Sequence, residues 1–243
     1  MREQLLCYAV RYNGDWNKMK QALNRQEAWE CLPYAGSYVT IADAEYPQKL
    51  RRLACPPWIL FYEGDIGLLN KAGCGIVGSR EASAAGLRNC AQITTILKER
   101  FVIISGLAKG IDGQAHRSAL DRATIGVIGC GLDVVYPREH AQLYAVMKKK
   151  QLVISEYPKG SRPYAYHFPW RNRLIAALSD AVIVVEARKR SGSLLTVNEA
   201  LELDIPVYCV PHAYQDEAGV GCNLLISQVA NILVDEEDVR LIF

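Results

Sequence analysis

Short apolar runs alternate with segments of helical period along the chain after about residue 72. Each apolar run is typical of a buried strand, and the segments between them repeat apolar residues at the i, i+3, i+4 spacing of a helix. The predicted strands cover residues 75–78, 101–105, 124–128, 152–155, 181–185 and 206–210. The predicted helices cover residues 82–98, 109–121, 138–148, 169–179 and 194–203, with a last helix and strand near 222–234.

Strands that are apolar throughout and separated by helices predict a parallel sheet covered on both faces. The predicted fold class is therefore α/β, with a doubly wound, mostly parallel Rossmann-like sheet and a small helical N-terminal module. Residues 1–37 are assigned to that module, because Trp16, Met19 and Leu23 share one helix face. Residues 38–71 are interpreted as a connector with a short strand, and residues 72–243 as the Rossmann-like domain.

The composition excludes several classes of protein. Eight cysteines are scattered without a CxxC pair or a zinc-ligand spacing, which indicates reduced core residues and no metal site. No segment approaches the roughly 18 apolar residues that a membrane span needs. We therefore expect a soluble, cytoplasmic protein with no membrane partner.

Positive charge is concentrated in one stretch, although the whole chain carries a net charge of only +2. Between residues 146 and 173 a single acid, Glu156, accompanies seven basic residues, namely Lys148, Lys149, Lys150, Lys159, Arg162, Arg171 and Arg173. This stretch is either a solvated basic face or a surface for an anionic partner.

The segments that follow the predicted strands favour phosphate binding. Ligands of open parallel sheets bind beyond the carboxyl ends of the strands, and the sequences there include "GSRE", "SGLAKGIDGQAH" and "EARKRSGSLLT". Small residues and helix N-termini let backbone N–H groups approach an anion. The candidate residues are Gly78, Ser79, Arg80, Ser105, Gly106, Lys109, Ser191, Gly192 and Ser193. Residues 191–193 are either an anion cradle or an ordinary helix start with Ser193 as its cap.

The sequence "HFPWRNR" at 167–173 combines rings with cations. Pro169 suits the first position of a helix, which would place Arg171 and Arg173 at or just beyond the first turn, where positive charge is unfavourable. A bound phosphate would compensate that cost, and rings such as Phe168 could stack on bases of a single strand. Packing of Phe168 in the core is the alternative.

Catalytic motifs are scarce. "GCGIVG" matches GxGxxG, but its glycines precede or lie inside the predicted strand and the next strand ends in Ser105 rather than an acid, which argues against a dinucleotide cofactor. Glu156, Glu186 and Glu199 lie near strand ends or helix starts without an evident catalytic partner. No catalytic residue and no cofactor are predicted.

The series "GIVGSR", "ISGLAKGIDGQAH", "IGCGLDVVYP", "ISEYP", "FPWRNRLIAALSDAVIVVEA" and "SGSLLT" resembles the DNA-processing protein A (DprA, or Smf) family over residues 38–234. The resemblance implies a non-catalytic, cofactor-free homodimer. It would bind and protect single-stranded DNA entering during natural transformation and load the RecA recombinase onto it.

The resemblance also implies roles for individual residues. DNA-contacting positions of the family fall on Arg80, Lys109, Phe168, Arg171, Asn172 and Arg173, and the dimer helix falls on Asn223, Leu224, Leu225 and Ile226. Two alternatives stay open. "SGSLLTVNEA" is also similar to the helix start of Rossmann-like enzymes that cleave nucleotide monophosphates, and a nucleotide sensor could use the same crevice.

Overall fold

In the computed structural model, which describes residues 1–31 and 33–242, nine strands form one sheet. The strands are β1 Ser37–Thr40, β2 Ile59–Gly64, β3 Gly73–Val77, β4 Val102–Ser105, β5 Thr124–Ile128, β6 Leu152–Ser155, β7 Ala181–Val184, β8 Val207–Cys209 and β9 Asn231–Ile232. The predicted end of the main domain, Phe243, lies outside the described residues.

The strand order confirms the predicted fold class. The order is β1-β2-β6-β5-β4-β3-β7-β8-β9, and every pairing from β6 to β9 is parallel. Strands β4, β5 and β6 follow β3 in order on one side of it, whereas β7, β8 and β9 extend the sheet on the other side. The order reverses between β3 and β7, which is where open α/β sheets bind ligands.

Helices cover both faces of the sheet. They are α1 Arg2–Arg11, α2 Trp16–Asn24, α3 Ala84–Leu97, α4 Ile111–Ala119, α5 Ala141–Lys150, α6 His167–Leu178, α7 Ser193–Glu202, α8 Val220–Gln228 and α9 Glu236–Arg240. Alternate strand residues face opposite layers, so that Ile76 packs in the cluster of α3 and α4, and Val77 packs in the cluster of α6 and α7. The strands are buried on both sides for this reason.

The segment interpreted as a connector with one short strand contributes two strands to the sheet. β1 pairs antiparallel with β2, and β2 pairs antiparallel with β6. Leu5 and Tyr8 of α1 pack in the same buried cluster as Phe61 of β2, so the N-terminal helices share a core with the sheet. The domain boundaries at residues 38 and 72 stay predictions.

Helix α6 begins at His167, two residues before the predicted start at Pro169. The first N–H groups of any helix lack intrahelical partners, so a proline is tolerated throughout the first turn and does not mark the first residue. Arg171 and Arg173 therefore lie beyond the first turn, and both are buried. The expected conflict between these cations and the helix N-terminus does not arise.

Six of the eight cysteines are buried as predicted, whereas Cys31 is exposed and Cys55 is partly exposed. No helix in the described part of the chain is both long enough and apolar enough to cross a membrane.

Three histidines of the core are held neutral by burial. Desolvation lowers the pKa of His116 to about 3, and it also lowers the pKa of His140 and of His167. The Nδ1 atoms of His140 and His167 lie 3.1 Å and 2.9 Å from backbone carbonyl oxygens, and Nδ1 of His116 lies 2.7 Å from Oγ1 of Thr124. Each ring therefore has a fixed place in the core that suits the neutral imidazole.

These shifts predict an acid-sensitive fold. A histidine whose pKa is lowered by folding contributes stability that is present above its ordinary pKa and is lost as the pH falls toward its folded value. As the pH falls from 7 to 5, protonation of His116 in the unfolded state should lower the free energy of unfolding by up to about 1.4 kcal/mol per pH unit. Urea unfolding across this range should show a shallower pH dependence for His116→Gln than for the wild type.

His212→Gln is the matched control, because interactions with Cys222 raise the pKa of His212 to about 9. Below pH 6 His212 is protonated in both the folded and the unfolded state, so its removal should leave the slope between pH 6 and 5 unchanged. Equal slopes for His116→Gln and the wild type would contradict the prediction.

Candidate nucleic-acid interface

An open crevice of about 530 Å³ lies at the carboxyl ends of the strands, at the point where the sheet order reverses. Its walls come from the loop after β3, the loop after β7 and the first turns of α6 and α7. Nine of the candidate residues line it, namely Gly78, Ser79, Arg80, Phe168, Arg171, Asn172, Ser191, Gly192 and Ser193. The fold thus assembles segments that are more than 100 residues apart in the sequence.

Four candidate residues lie outside this crevice. Ser105 is fully buried and its hydroxyl donates to the carbonyl of Ile76, 2.6 Å away. Lys109 is exposed and forms an ion pair with Glu139 at 2.7 Å. Gly106 and Arg173 are both buried.

Positive charge predominates in the crevice, where four arginines face two carboxylates. Arg188 pairs with Glu81 at 3.4 Å, and both side chains are exposed. Arg80 and Arg190 are exposed and form no ion pair with any residue that the structure describes. These two cations are therefore available to a ligand without the loss of an internal partner.

Arg171 forms part of the crevice floor, and its guanidinium group is committed to the interior. Its Nη1 donates to the carbonyl of Val127 at 2.8 Å, and the side chain is only 3% exposed. Burial lowers the pKa of Arg171, an effect that the nearby Asp112 carboxylate opposes. Gly106 makes this arrangement possible, because a Cβ atom at that position would lie 1.8 Å from Nη1 of Arg171.

Arg80 and Phe168 form the exposed edge of the same site. The Arg80 guanidinium carbon lies 5.3 Å from the centre of the Phe168 ring, within the range of a cation–π contact. Phe168 also contacts Tyr136, and the centres of these two rings lie 5.4 Å apart. A flat ring and a cation are thus presented side by side at the mouth of the crevice.

The Ser191–Ser193 turn begins α7, but the cap differs from the prediction. Gly192 is the N-cap residue and Ser193 is the first residue of the helix, with Ser191 Oγ accepting from the Ser193 N–H at 3.3 Å. The Asn172 carboxamide donates to the Gly192 carbonyl at 3.4 Å, which joins α6 to this turn. The hydroxyls of Ser191 and Ser193 lie 2.7 Å apart at the helix start.

Arg173 is paired inside the protein, and its partner is a carboxylate rather than an external anion. Nη1 and Nη2 donate to the two carboxylate oxygens of Glu156 at 2.5 and 2.6 Å, and both side chains are 5% exposed. The guanidinium also donates to the Cys55 carbonyl and lies 4.1 Å from the centre of the Trp170 ring. The two arginines of α6 therefore have unequal surroundings, and neither depends on a ligand for its partner.

Glu186, a candidate base, has a structural partner as well. Its carboxylate accepts from the Ser83 N–H and hydroxyl at the start of α3, and it is fully buried. The carboxylate therefore anchors α3 to the end of β7. Among the described residues, no group of three or more potential ligand side chains is arranged to hold a metal ion.

The residues predicted for dimerisation lie on α8, which packs in the same buried cluster as α6 and α7. The Asn223 carboxamide pairs with both the N–H and the carbonyl of His212, each at 3.0 Å, and so contacts its own chain. Leu224 is exposed, and Leu225 and Ile226 are half-buried. Their role between chains stays a prediction.

Arg188 and Arg190 are the two crevice cations that the predicted set does not include. The loop "EARKRSGS" signals their presence through three adjacent cations after a predicted strand. The sequence does not show which of the three side chains points into the crevice, because a loop has no fixed periodicity.

Several known proteins are similar to this chain in sequence and in fold. The family described as DNA recombination-mediator protein A matches residues 37–242. The chain is 42% identical over 202 residues to the DNA processing protein DprA of Streptococcus pneumoniae, a match covering 82% of this chain and 72% of that protein.

Two solved structures are similar over most of the chain. The X-ray structure of DNA processing protein A from Streptococcus pneumoniae has a TM-score of 0.84 at 34% identity, and the alignment covers 99% of this chain and 93% of that one. A structure of DNA processing protein A from Helicobacter pylori, described as showing a single-stranded DNA binding mode, has a TM-score of 0.76 at 30% identity. That alignment covers 84% of this chain and 94% of the other.

The buried Arg173–Glu156 pair predicts a large loss of stability in Arg173→Ala. Removal of one partner leaves a buried carboxylate uncompensated, which costs about 3–5 kcal/mol. The exposed Arg122–Glu99 pair, also held by two hydrogen bonds, gives the matched control Arg122→Ala, for which we expect at most about 1 kcal/mol. Urea unfolding measures both, and the double change Glu156→Gln/Arg173→Met should recover part of the loss. Similar effects of the two single alanine variants would contradict this account.

Proposed function

This chain belongs to the DNA recombination-mediator protein A family, and we propose that it binds single-stranded DNA in the crevice without catalysis. In this proposal it protects DNA that enters during natural transformation and passes it to the RecA recombinase. It acts as a cytoplasmic homodimer and needs no cofactor.

The observation that supports DNA binding most directly is the unpaired positive charge at the crevice mouth. Arg80 and Arg190 are exposed, and both line the crevice where the sheet order reverses. Phosphate groups of a nucleic acid backbone are the ligands that such cations favour, because guanidinium groups bind phosphate through parallel hydrogen bonds. The proposed contacts of Arg80 and Arg190 are therefore with the DNA backbone.

A base can stack beside those backbone contacts. Phe168 lies next to Arg80 and lines the same crevice, so one nucleotide could place its phosphate on the guanidinium and its base against the ring. Stacking on aromatic side chains tolerates any base and is typical of proteins that hold single strands without reading sequence. Ser191, Gly192 and Ser193 add a helix N-terminus to the same anion site.

The non-catalytic part of the proposal is supported by the positions of the candidate bases. Glu156 is paired with Arg173, and Glu186 holds the start of α3. Glu199 is half-buried on α7. A glycosidic cleavage mechanism would need a free carboxylate near the bound nucleotide, and these three side chains do not line the crevice. The two carboxylates that do line it have partners, because Glu81 pairs with Arg188 and Asp112 accepts from backbone N–H groups.

The proposed dimer uses the exposed apolar surface around α8. Leu224, Val229, Ile232 and Val234 are exposed large apolar residues in this part of the sequence. An exposed apolar patch of this kind is characteristic of protein contacts. Asn223, Leu225 and Ile226 share the helix with Leu224, and transfer to RecA is inferred from family membership alone.

Arg80→Ala should weaken single-strand binding by roughly 10- to 100-fold, as expected for loss of a hydrogen bond to a charged group. Its exposed side chain has no buried contact to lose, so the melting temperature should change little. Lys109→Ala should have a smaller effect, because Lys109 lies outside the crevice and pairs with Glu139. Anisotropy of labelled oligo(dT) measures the affinities, with Arg122→Ala as an exposed control. Equal losses for Arg80→Ala and the control would contradict the assignment.

A second measurement separates strand binding from nucleotide binding. We expect affinity to rise with length for oligo(dT) of about 4 to 16 nucleotides, and log Kd to change with log salt by about 0.7 per phosphate contacted. Duplex DNA and mononucleotides serve as competitors. Tight mononucleotide binding with no dependence on strand length, or release of free base, would instead support the nucleotide sensor or the nucleotide-cleaving enzyme.

A further inference from the structure

A second cavity, of about 430 Å³, lies between the turn joining α1 to α2 and the segment that leads into α6. This volume is within the range of roughly 300–1,000 Å³ that small-molecule sites occupy. Six aromatic side chains line it, namely Tyr12, Trp16, Tyr157, Tyr164, Tyr166 and Trp170. None of these six rings lines the crevice described above.

The two cavities share one wall. Along residues 163–166, alternate residues face opposite sides, so that Pro163 and Ala165 line the crevice whereas Tyr164 and Tyr166 line the second cavity. The first turn of α6 continues this wall. A ligand that extends over the wall can therefore reach both cavities.

Two of the rings are exposed and held in a fixed arrangement. Tyr164 and Tyr166 are 44% and 68% exposed, and their planes differ by only 10° with ring centroids 5.7 Å apart. Each contacts the buried His167 ring edge-on, at 5.3 and 4.6 Å. His167 in turn stacks on Tyr157 at 3.7 Å. The exposed rings therefore rest on a buried aromatic support.

The turn that forms the opposite side is packed tightly against the main domain. Gly14 approaches so closely that a Cβ atom there would lie 2.6 Å from the Glu156 carbonyl oxygen. The Ser161 hydroxyl donates to the Asn13 carboxamide oxygen across the same contact. The cavity is thus bounded on both sides by ordered structure.

The charges around the cavity are already compensated. The Asp15 carboxylate accepts from the Lys18 N–H at 3.0 Å as the cap of α2, and it lies 3.7 Å from the Lys18 ammonium group. Burial lowers the pKa of His167, which favours the neutral form of that ring. A cationic ligand would compete with Lys18 for the one carboxylate of the cavity, whereas a neutral planar group needs only the rings.

We propose that this aromatic cavity binds an unpaired base of the same single strand whose phosphates bind in the crevice. The proposal rests on the function proposed above. The strand crosses the wall at residues 163–170, with its backbone on the arginine side and a base on the tyrosine side. The site is selective for single strands, because only an unpaired base can enter it.

The test compares Tyr164→Ala/Tyr166→Ala with Tyr214→Ala, which removes a tyrosine that is 91% exposed elsewhere. Loss of base stacking should weaken binding of long oligo(dT) roughly 5- to 100-fold. Short strands that fill only the crevice should bind as in the wild type. Tyr164→Phe/Tyr166→Phe should retain the affinity, because the rings stay. Melting temperatures show whether each variant is folded.

A fluorescent base locates the contact. With 2-aminopurine placed at successive positions of the strand, one position should be quenched on binding to the wild type and to Tyr214→Ala. The quenching should be absent in Tyr164→Ala/Tyr166→Ala, and an abasic nucleotide at that position should abolish the affinity difference between this variant and the wild type.

The outcomes separate the two proposals. If the wild type binds oligo(dT) and Arg80→Ala weakens it, but Tyr164→Ala/Tyr166→Ala behaves as Tyr214→Ala, the base site is wrong and the crevice stands. A loss that is equal at all strand lengths would also overturn the base site, because the tyrosines would then support the crevice. If the wild type binds no single strand, both proposals are wrong.

Discussion

The position of α6 depends on two buried guanidinium groups that enter the protein in different directions. Arg171 reaches the Val127 carbonyl beneath the crevice, and Arg173 forms a two-point pair with Glu156 on the side of the N-terminal helices. Gly106 provides the space for the first group. Buried charges are tolerated only with close partners, so the helix has little freedom to shift or rotate. The first turn of α6, which separates the two cavities, is fixed by these contacts.

The arginines near the crevice consequently fall into a buried set and an exposed set. Arg173 is desolvated and paired with Glu156, and Arg171 is desolvated with one hydrogen bond to the Val127 carbonyl, so both contribute mainly to the shape of the crevice. Arg80, Arg188 and Arg190 are carried by loops and keep their guanidinium groups in solvent. Only such exposed groups can release counterions on binding a polyanion, which makes affinity dependent on salt. A basic stretch in a sequence therefore overstates the charge that a ligand meets.

The sequence predicts the elements whose signal is local. The apolar runs at 124–128 and 152–155 coincide with β5 and β6, and strand ends rich in glycine, serine and arginine identify the crevice. The pairing of Arg173 with Glu156 is not local, because 17 residues separate them and only the packing of α6 against the end of β6 brings them together. β1 lies in the segment interpreted as a connector with a short strand, and its pairing with β2 is a tertiary contact that the sequence does not indicate. The aromatic cavity joins residues 12–18 to 157–170, a juxtaposition that no periodicity indicates.

The crevice and the aromatic cavity lie on opposite sides of the wall formed by residues 163–170, and they present different chemical groups. The crevice offers cations, which attract the backbone of any nucleic acid, single or double stranded. The second cavity offers neutral rings, which can hold a base only when that base has left its own stack and its pairing partner. For duplex DNA this step costs a few kcal/mol for each base, whereas in a single strand the base is already unpaired. In the proposed arrangement, selectivity for single strands comes from the wall between the cavities rather than from the arginines, because a strand that binds both sides must cross the wall with an unpaired base.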